Sequence, residues 1–242
     1  LLIINDGSTD GSLNIIKTYT DPRIRLIDNP TNCGIPYSRN IGLKEAKGEF
    51  LAWCDCDDIN LPSRFETQVY FLKNNSRFGA CGTWVVHFRN RNVRVYKVYR
   101  KSELVKATLL FRSSMPNPTV MLRLSKVKQH NLMYNEALPI AEDYDFVLSC
   151  SMHFELTNIS KVLYKYRASE TSIMKKFKDQ EIESDQIHKV VYTRALKYIG
   201  IQPSESDLNT HRIIGSEKVI DEFSDLEKCY DWLKKIKEQN SK

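Results

Sequence analysis

An α/β fold, with a mostly parallel sheet flanked by helices and a helical appendage behind it, is predicted by three features of this 242-residue chain. Runs of β-type hydrophobes alternate with stretches of helical spacing, which is the βαβ rhythm. Two of those runs close on acids, Asn5-Asp6-Gly7-Ser8-Thr9-Asp10 and Asp55-Cys56-Asp57-Asp58. From about Asp179 the texture changes to helices rich in Lys and Glu. In an open α/β sheet, ligands bind in the crevice beyond the carboxyl ends of the strands, so acids delivered there by two strands converge on one place.

The elements follow in order. Residues 1–4 are hydrophobic throughout, as a buried parallel strand is, and such a strand makes a poor natural beginning; a strand ahead of Leu1 is expected to be missing. Ser12 with Leu13, Ile16 and Tyr19 predicts the first helix, and residues 23–27 the second strand. The turn formers of Asn29-Pro30-Thr31-Asn32-Cys33-Gly34 predict a loop, residues 35–47 a helix, and Gly48 its left-handed C-terminal cap. Residues 49–54 form the strand that delivers the second acid cluster. Pro62 suits a first helical position, and Phe65, Val69 and Leu72 at i, i+4 and i+7 mark the buried face of that helix.

Residues 80–88 and 93–99 alternate as a hairpin with its turn at 89–92. A helix is expected over 102–110, a strand over 119–124, and over 141–152 a helix that begins in acids, where the macrodipole favours negative charge. Residues 156–159 and 162–167 complete the sheet. The change of composition places a boundary near Lys178, giving a main domain over 1–178 and a helical appendage over 179–242. In the appendage Val190, Leu196, Ile199, Trp232, Leu233 and Ile236 recur at helical spacing and are expected to pack.

With 41% hydrophobic and 10% aromatic residues the chain can bury a full core, which excludes a disordered class. A net charge of +6 and a pI of about 8.9 admit nucleotide diphosphates, phospholipid headgroups or nucleic acid without choosing among them. No nucleic-acid partner is expected, because Lys175-Lys176-Phe177-Lys178 and the lysines of 234–242 are short clusters outside the acid crevice. The same lysines would allow peripheral contact with anionic lipid.

Six cysteines without the density of a disulfide framework point to reduced thiols in the cytoplasm. Cys54 and Cys56 lack a second ligand pair for zinc. No apolar stretch approaches the roughly 20 residues that span a bilayer, and no signal-peptide pattern opens the chain. A cytoplasmic location is expected, at most peripheral to the inner membrane face.

Asp55-Cys56-Asp57-Asp58 supplies hard oxygen ligands suited to Mg or Mn. A bare D-x-D is more often a solvated loop or helix cap, but the strand before it and the second acid motif favour a ligand site. Asp6 could accept the imide N–H of a uracil ring, or could cap the following helix together with Ser8 or Asp10; ligand contact is expected of Asp6 and capping of the other two. Glu142-Asp143-Tyr144-Asp145 opens a helix, and one of its carboxylates could serve as a general base if it reaches the same crevice.

The ordered set Ile3-Ile4-Asn5-Asp6-Gly7-Ser8-Thr9-Asp10, Asn32-Cys33-Gly34, Ser38-Arg39-Asn40-Ile41-Gly42-Leu43, Ala46-Lys47-Gly48-Glu49-Phe50, Asp55-Cys56-Asp57-Asp58 with Pro62, and Glu142-Asp143 resembles the inverting family 2 glycosyltransferases over residues 1 to about 170. The resemblance implies a GT-A, Rossmann-like fold and metal-dependent, inverting transfer of a hexosyl or N-acetylhexosaminyl group in bacterial-type polysaccharide or glycolipid synthesis. It implies a UDP-sugar donor, a saccharide or lipid-linked saccharide acceptor, and Mn2+ or Mg2+ as cofactor. Asp6 looks like the uracil-binding aspartate, Asp57 like the metal ligand, with Asp55 near the ribose and diphosphate. Asp143 looks like the catalytic base, with Glu142 and Asp145 as competing carboxylates.

Arg39 and Asn40 fall in a segment that lines the nucleotide pocket, although Arg39 could equally form an ion pair. Tyr166-Arg167 through Ser172 resembles a segment that closes over the donor. The chain departs from the family pattern at Asn5, where many members have aspartate, and at Ser169, where many have histidine. A nucleotide-sugar-binding remnant without turnover is the competing reading.

Overall fold

The computed structural model describes residues 1–89, 92–168, 181–216 and 219–240. β1 (Leu2–Asp6) pairs in parallel with β2 (Arg25–Asn29), so that Asp6 stands beside Asn29. α1 (Ser12–Lys17) supplies the crossover that a parallel pair requires. α2 (Ile35–Glu45) then packs close to β1 and β3 (Phe50–Ala52): a Cβ on Gly42 would stand 2.7 Å from the Trp53 ring and 3.5 Å from Ile4. Glycine permits that approach. Gly48 is not the left-handed cap that the sequence predicts; α2 ends on Ala46 in extended conformation, which runs the chain directly toward β3.

β3, β4 (Ile59–Asn60), β5 (Phe78–Arg89), β6 (Asn92–Tyr96), β7 (Met121–Arg123) and β8 (Glu155–Arg167) form a second sheet in the order β3-β7-β5-β8-β4, with β6 on β5. Among the described pairs β1/β2 and β5/β8 are parallel, whereas β3/β7, β5/β7, β5/β6 and β4/β8 are antiparallel. The α/β arrangement matches expectation, but the sheet is mixed where a mostly parallel one is predicted. Only two residues separate the end of β5 from the start of β6, whereas a parallel pair would need a crossover of about a dozen. The two segments expected at 156–159 and 162–167 are one strand, β8, with a register shift between them.

α3 (Arg64–Asn74) begins two residues after Pro62, and its buried face is Arg64, Gln68 and Leu72, while Phe65 is 44% exposed. Leu72 is buried and Val69 packs against its cluster as expected, but the face turns from Phe65 toward Arg64 and Gln68, which find polar partners: Gln68 Nε2 donates to the carbonyls of Cys81 (2.9 Å) and Thr119 (2.8 Å). α4 (Ser102–Thr108), α5 (Leu124–Gln129) and α6 (Glu142–Ser151) complete the main layers; α5 has no counterpart in the sequence-based expectation.

α7 (Glu181–Tyr198), α8 (Glu205–Gly215) and α9 (Phe223–Asn240) send Val191, Tyr192, Leu196, Leu208, Trp232 and Ile236 into the cluster that holds Leu109, Tyr144 and Leu148. Leu196, Trp232 and Ile236 are buried as expected, but Val190 and Leu233 are exposed, and Val191 takes the inward position beside Val190. Buried His211 joins these layers: its Nε2 donates to the Leu110 carbonyl (2.7 Å) and its Nδ1 accepts from Trp232 Nε1 (2.9 Å).

Candidate active site

The acid loop leaves β3 under restraint at both ends. Arg64, fully buried, donates from Nη1 to the Trp53 carbonyl (3.0 Å) and to Asn60 Oδ1, and its guanidinium lies 5.0 Å from the centre of the Tyr164 ring. The Asp55 N–H donates to Tyr164 Oη (3.3 Å). Arg167 then closes the far side, donating from its backbone N–H to Asp58 Oδ1 (2.7 Å) and from Nε to the Asp57 carbonyl (2.9 Å).

This scaffold crowds three carboxylates. Burial pushes the pKa of Asp55 up, and the charges of Asp58, Asp57 and Asp143 push it further, against the opposing pull of Arg39. Burial likewise raises that of Asp58, against the Arg167 N–H and the Tyr164 hydroxyl that lower it, and its buried Oδ2 has no hydrogen bond of ordinary geometry among the described residues. Asp57 is exposed. Clustered acceptors with one orphaned oxygen suit a hard divalent cation. Among the described residues no three His, Cys, Asp or Glu side chains are arranged as a metal cage. One or two carboxylates are enough for a cation whose remaining ligands are water and substrate phosphates, so the residues present fit a Mg2+ or Mn2+ ion held in that way.

Asp6 lies at the end of β1 and organises the loop opposite. Its carboxylate accepts from Asn29 Nδ2 (2.9 Å), Cys33 N (3.0 Å) and Gly34 N (2.9 Å). Burial would raise its pKa, yet these bonds and one from Ser38 outweigh it and hold the pKa below the usual carboxylate value. Gly7 has φ +64, and a Cβ there would fall 2.4 Å from the Thr31 backbone, so the β1 turn and this loop meet where only glycine fits. The N-cap of α1 is Gly11, which has no side-chain cap bond, so the capping expected of Ser8 and Asp10 is not formed; Asp10 instead accepts from Ser12 N (2.9 Å) through Oδ1. A carboxylate offers about four acceptor positions; Asn29, Cys33, Gly34 and Ser38 engage them here, so an imide N–H would take the place of one of these donors or share its position.

Arg39 joins the two halves of the site. Its Nη1 donates to Glu142 Oε1 (2.6 Å) across 103 residues of sequence, and its guanidinium lies 5.5 Å from the centre of the Tyr134 ring. Asn117 Oδ1, in the amide orientation that satisfies both groups, accepts from Arg39 Nη2 (2.7 Å) and Nη1 (3.1 Å). Burial would lower the pKa of Arg39, but Tyr134, Glu142, Asp143 and Asp55 together keep it raised. Asp143 at the start of α6 and Asp55 of the acid loop therefore lie within electrostatic reach of one guanidinium. Burial, and then the Asp143 charge, lift Glu142 to about 7 despite Arg39.

The structure thus brings Arg39, Asp55 and Asp143 together, with Asp57 on the same acid loop and Asp6 at the end of β1. Asn40 does not join them. It is buried, and its Nδ2 donates to the Tyr134 carbonyl (3.0 Å) and Glu136 Oε1 (2.8 Å) while its Oδ1 accepts from Tyr134 N (2.7 Å). This amide staples α2 to the 134–136 segment with both of its donor positions and its oxygen, so the structure engages it in packing contacts and does not bring it to the other predicted site residues. Asp145 is also buried, ion-paired with Arg194 of α7, which donates from Nη2 to Ser149 Oγ (2.9 Å) as well. Residues 169–172 of the expected closing segment lie outside the described residues, as do Lys175 to Lys178 and the expected boundary at 178/179.

Arg64, Asn117, Tyr134, Tyr164 and Arg194 take part in this construction and are missed by motif reading. Apart from the bonds of Arg64 to Trp53 and Asn60, 11 and 4 residues away, their contacts in it are long-range, and no local spacing announces them.

Residues 1–130 match the family described as Glycosyl transferase family 2. The chain is 30% identical over 237 residues to an uncharacterized glycosyltransferase of Haemophilus influenzae, covering 91% of this chain and 73% of that protein. It is 29% identical over 191 residues to the UDP-Glc:alpha-D-GlcNAc-diphosphoundecaprenol beta-1,3-glucosyltransferase WfgD of Escherichia coli, covering 76% and 72%. Among solved structures, S. aureus TarS 1-349 in complex with UDP-GlcNAc superposes with a TM-score of 0.65 at 19% identity, over 87% of this chain and 60% of that one. The last likeness is one of fold.

Proposed function

Since the chain belongs to glycosyl transferase family 2, we propose that it transfers a sugar from a UDP-sugar to a hydroxyl of a saccharide acceptor with inversion at the anomeric carbon. The observation that carries this reading is the Arg39–Glu142 ion pair at the start of α6, with Asp143 and Asp55 of the acid loop within electrostatic reach of the same guanidinium. Asp6 would accept from the uracil imide. Asp143 would take the proton of the acceptor hydroxyl as its oxygen attacks the anomeric carbon from the side opposite UDP. Arg39 would hold Glu142 in place and counter the negative charge of the site.

Asp57, with Asp55 or Asp58 beside it, would hold Mg2+ or Mn2+, which when bound supplies neutralising charge to the departing diphosphate. The names of the relatives support UDP donors and, in one case, a lipid-diphosphate-linked acceptor. Among the described residues no helix is long and apolar enough to cross a membrane, and peripheral contact at an anionic surface from the cytoplasmic side is part of this reading.

A panel of UDP-sugars tested for hydrolysis with and without Mn2+ checks the reading. Metal-dependent release of UDP from at least one donor is the expected result. Binding of UDP without release from any donor would favour the remnant without turnover, and no binding would remove the reading altogether.

A further inference from the structure

Successive residues of a strand point to opposite faces of the sheet, and that rule extends the site outward from the acid loop. Tyr164 of β8 reaches the acid loop through its hydroxyl, so Tyr166, two residues on, stands on the same face. In the β5/β8 register Val85 is opposite Tyr164 and His87 opposite Tyr166; in the β5/β6 register Tyr96 is opposite Val85. His87, Tyr96 and Tyr166 therefore share one face on three adjacent strands. The His87 and Tyr166 ring centres are 4.9 Å apart at 41°, and those of His87 and Tyr96 are 6.1 Å apart at 68°. His87 is exposed and Tyr96 is 39% exposed, so the rings are open to solvent.

The cluster adjoins the acids. Burial raises the pKa of the Tyr166 hydroxyl, and the charges of Asp58, Asp57 and Asp55 raise it further, which sets the ring within electrostatic reach of all three. Arg167, the next residue, binds Asp57 and Asp58 directly. Burial lowers the pKa of His87, with Asp58 opposing and Arg94, its cross-strand neighbour, assisting; the ring is thus favoured in its neutral form, which donates at one nitrogen and accepts at the other.

We propose that His87, Tyr96 and Tyr166 form the platform on which the acceptor saccharide lies, next to the place of the donor diphosphate. The proposal rests on the glycosyltransferase reading above. The chemistry fits a sugar: aromatic faces receive the C–H face of a pyranose, while the phenolic and imidazole edges meet its hydroxyls. The surface is less suited to an apolar partner, because the exposed Val93 and Val95 of β6 are opposite Phe88 and Val86 and so belong to the other face. Continuity with the acid loop singles out the acceptor and not an unrelated carbohydrate, since a platform there presents a hydroxyl beside the donor.

The whole chain, with UDP and Mn2+ present, is screened by saturation-transfer NMR against glucose, galactose, N-acetylglucosamine and their β-methyl glycosides. Binding of at least one is expected. Tyr96→Ala should weaken it by about tenfold with UDP affinity unchanged, and Tyr96→Phe should retain it, because the ring face and not the hydroxyl carries the contact. Tyr166→Ala should act in the same direction; if it fails to fold, Tyr96→Ala decides alone. A parent that binds UDP but none of these saccharides, or a Tyr96→Ala variant that binds them as tightly as the parent, overturns the platform. A parent that does not bind UDP overturns the glycosyltransferase reading instead.

Discussion

Glu142 and Asp143 share one helical turn and differ in what surrounds them. Glu142 is buried against Arg39 and lifted to about 7, chiefly by burial and by the charge of Asp143. Asp143 is half-buried, and its Oδ1 accepts from Tyr144 N (2.7 Å), which fixes the carboxyl at the helix start. The more open of the two is the one we expect to meet an acceptor. Asp143→Asn should lower transfer by about 10² or more while UDP binding survives, as expected for loss of a general base; transfer kinetics beside a UDP titration check this, and retained transfer would pass the role to Glu142. Asp57 poses the complementary test. It is exposed, so Asp57→Ala should abolish metal-dependent UDP binding with no change of fold, read by calorimetry and circular dichroism. Unchanged affinity with Mn2+ would remove Asp57 as a metal ligand.

At the scale of elements, the site depends on how helices are held. Arg64 of α3 fixes the base of the acid loop, and Arg194 of α7 fixes the first turn of α6 through Asp145 and Ser149. A buried carboxylate that loses its cation keeps its desolvation cost. Asp145 is 2% exposed whereas the Arg194 side chain is 40% exposed, so solvent can replace part of what Arg194 supplies. Arg194→Ala should therefore cost about 1–3 kcal/mol of stability, measured by denaturant unfolding. A variant as stable as the parent would mean that water satisfies Asp145 without Arg194.

Across the whole molecule, the C-terminal helices share a core with the sheet domain, and His211 lies at the seam. Burial lowers its pKa from 6.5 to about 4, so the folded state holds a neutral ring that bonds Leu110 and Trp232. A depressed folded-state pKa contributes stability that is fully present above the unfolded value and is lost as pH falls. Stability should therefore decline between pH 6.5 and about 4, by on the order of 2–3 kcal/mol from this group. Comparing urea unfolding of the parent and of His211→Gln across that window checks it: a parent slope no steeper than the variant's would show that His211 is not the titrating group.

The order of strands and acids, the turn-rich loop before α2, and the acid-rich start of α6 were legible in the sequence, because each is written in neighbouring residues as a hydrophobic run, a turn former or a cap. Asp6, the cluster of Asp55, Asp57 and Asp58, and the acids of 142–145 could be marked on that basis, while the choice of Asp57 and Asp143 within those clusters rests on the family resemblance. Only the tertiary structure decided the mixed sheet, the inward face of α3, the staple made by Asn40 and the pairing of Asp145 with Arg194. In each case a strand direction or a buried polar group is set by partners far along the chain. The Arg39–Glu142 pair spans 103 residues and the Asn40–Tyr134 staple 94, so the neutralising partner of each buried group becomes known only once the fold has brought it near. Local spacing determines which side chains reach the crevice end of a strand or helix; the distant charges packed against them decide which remain free for a ligand.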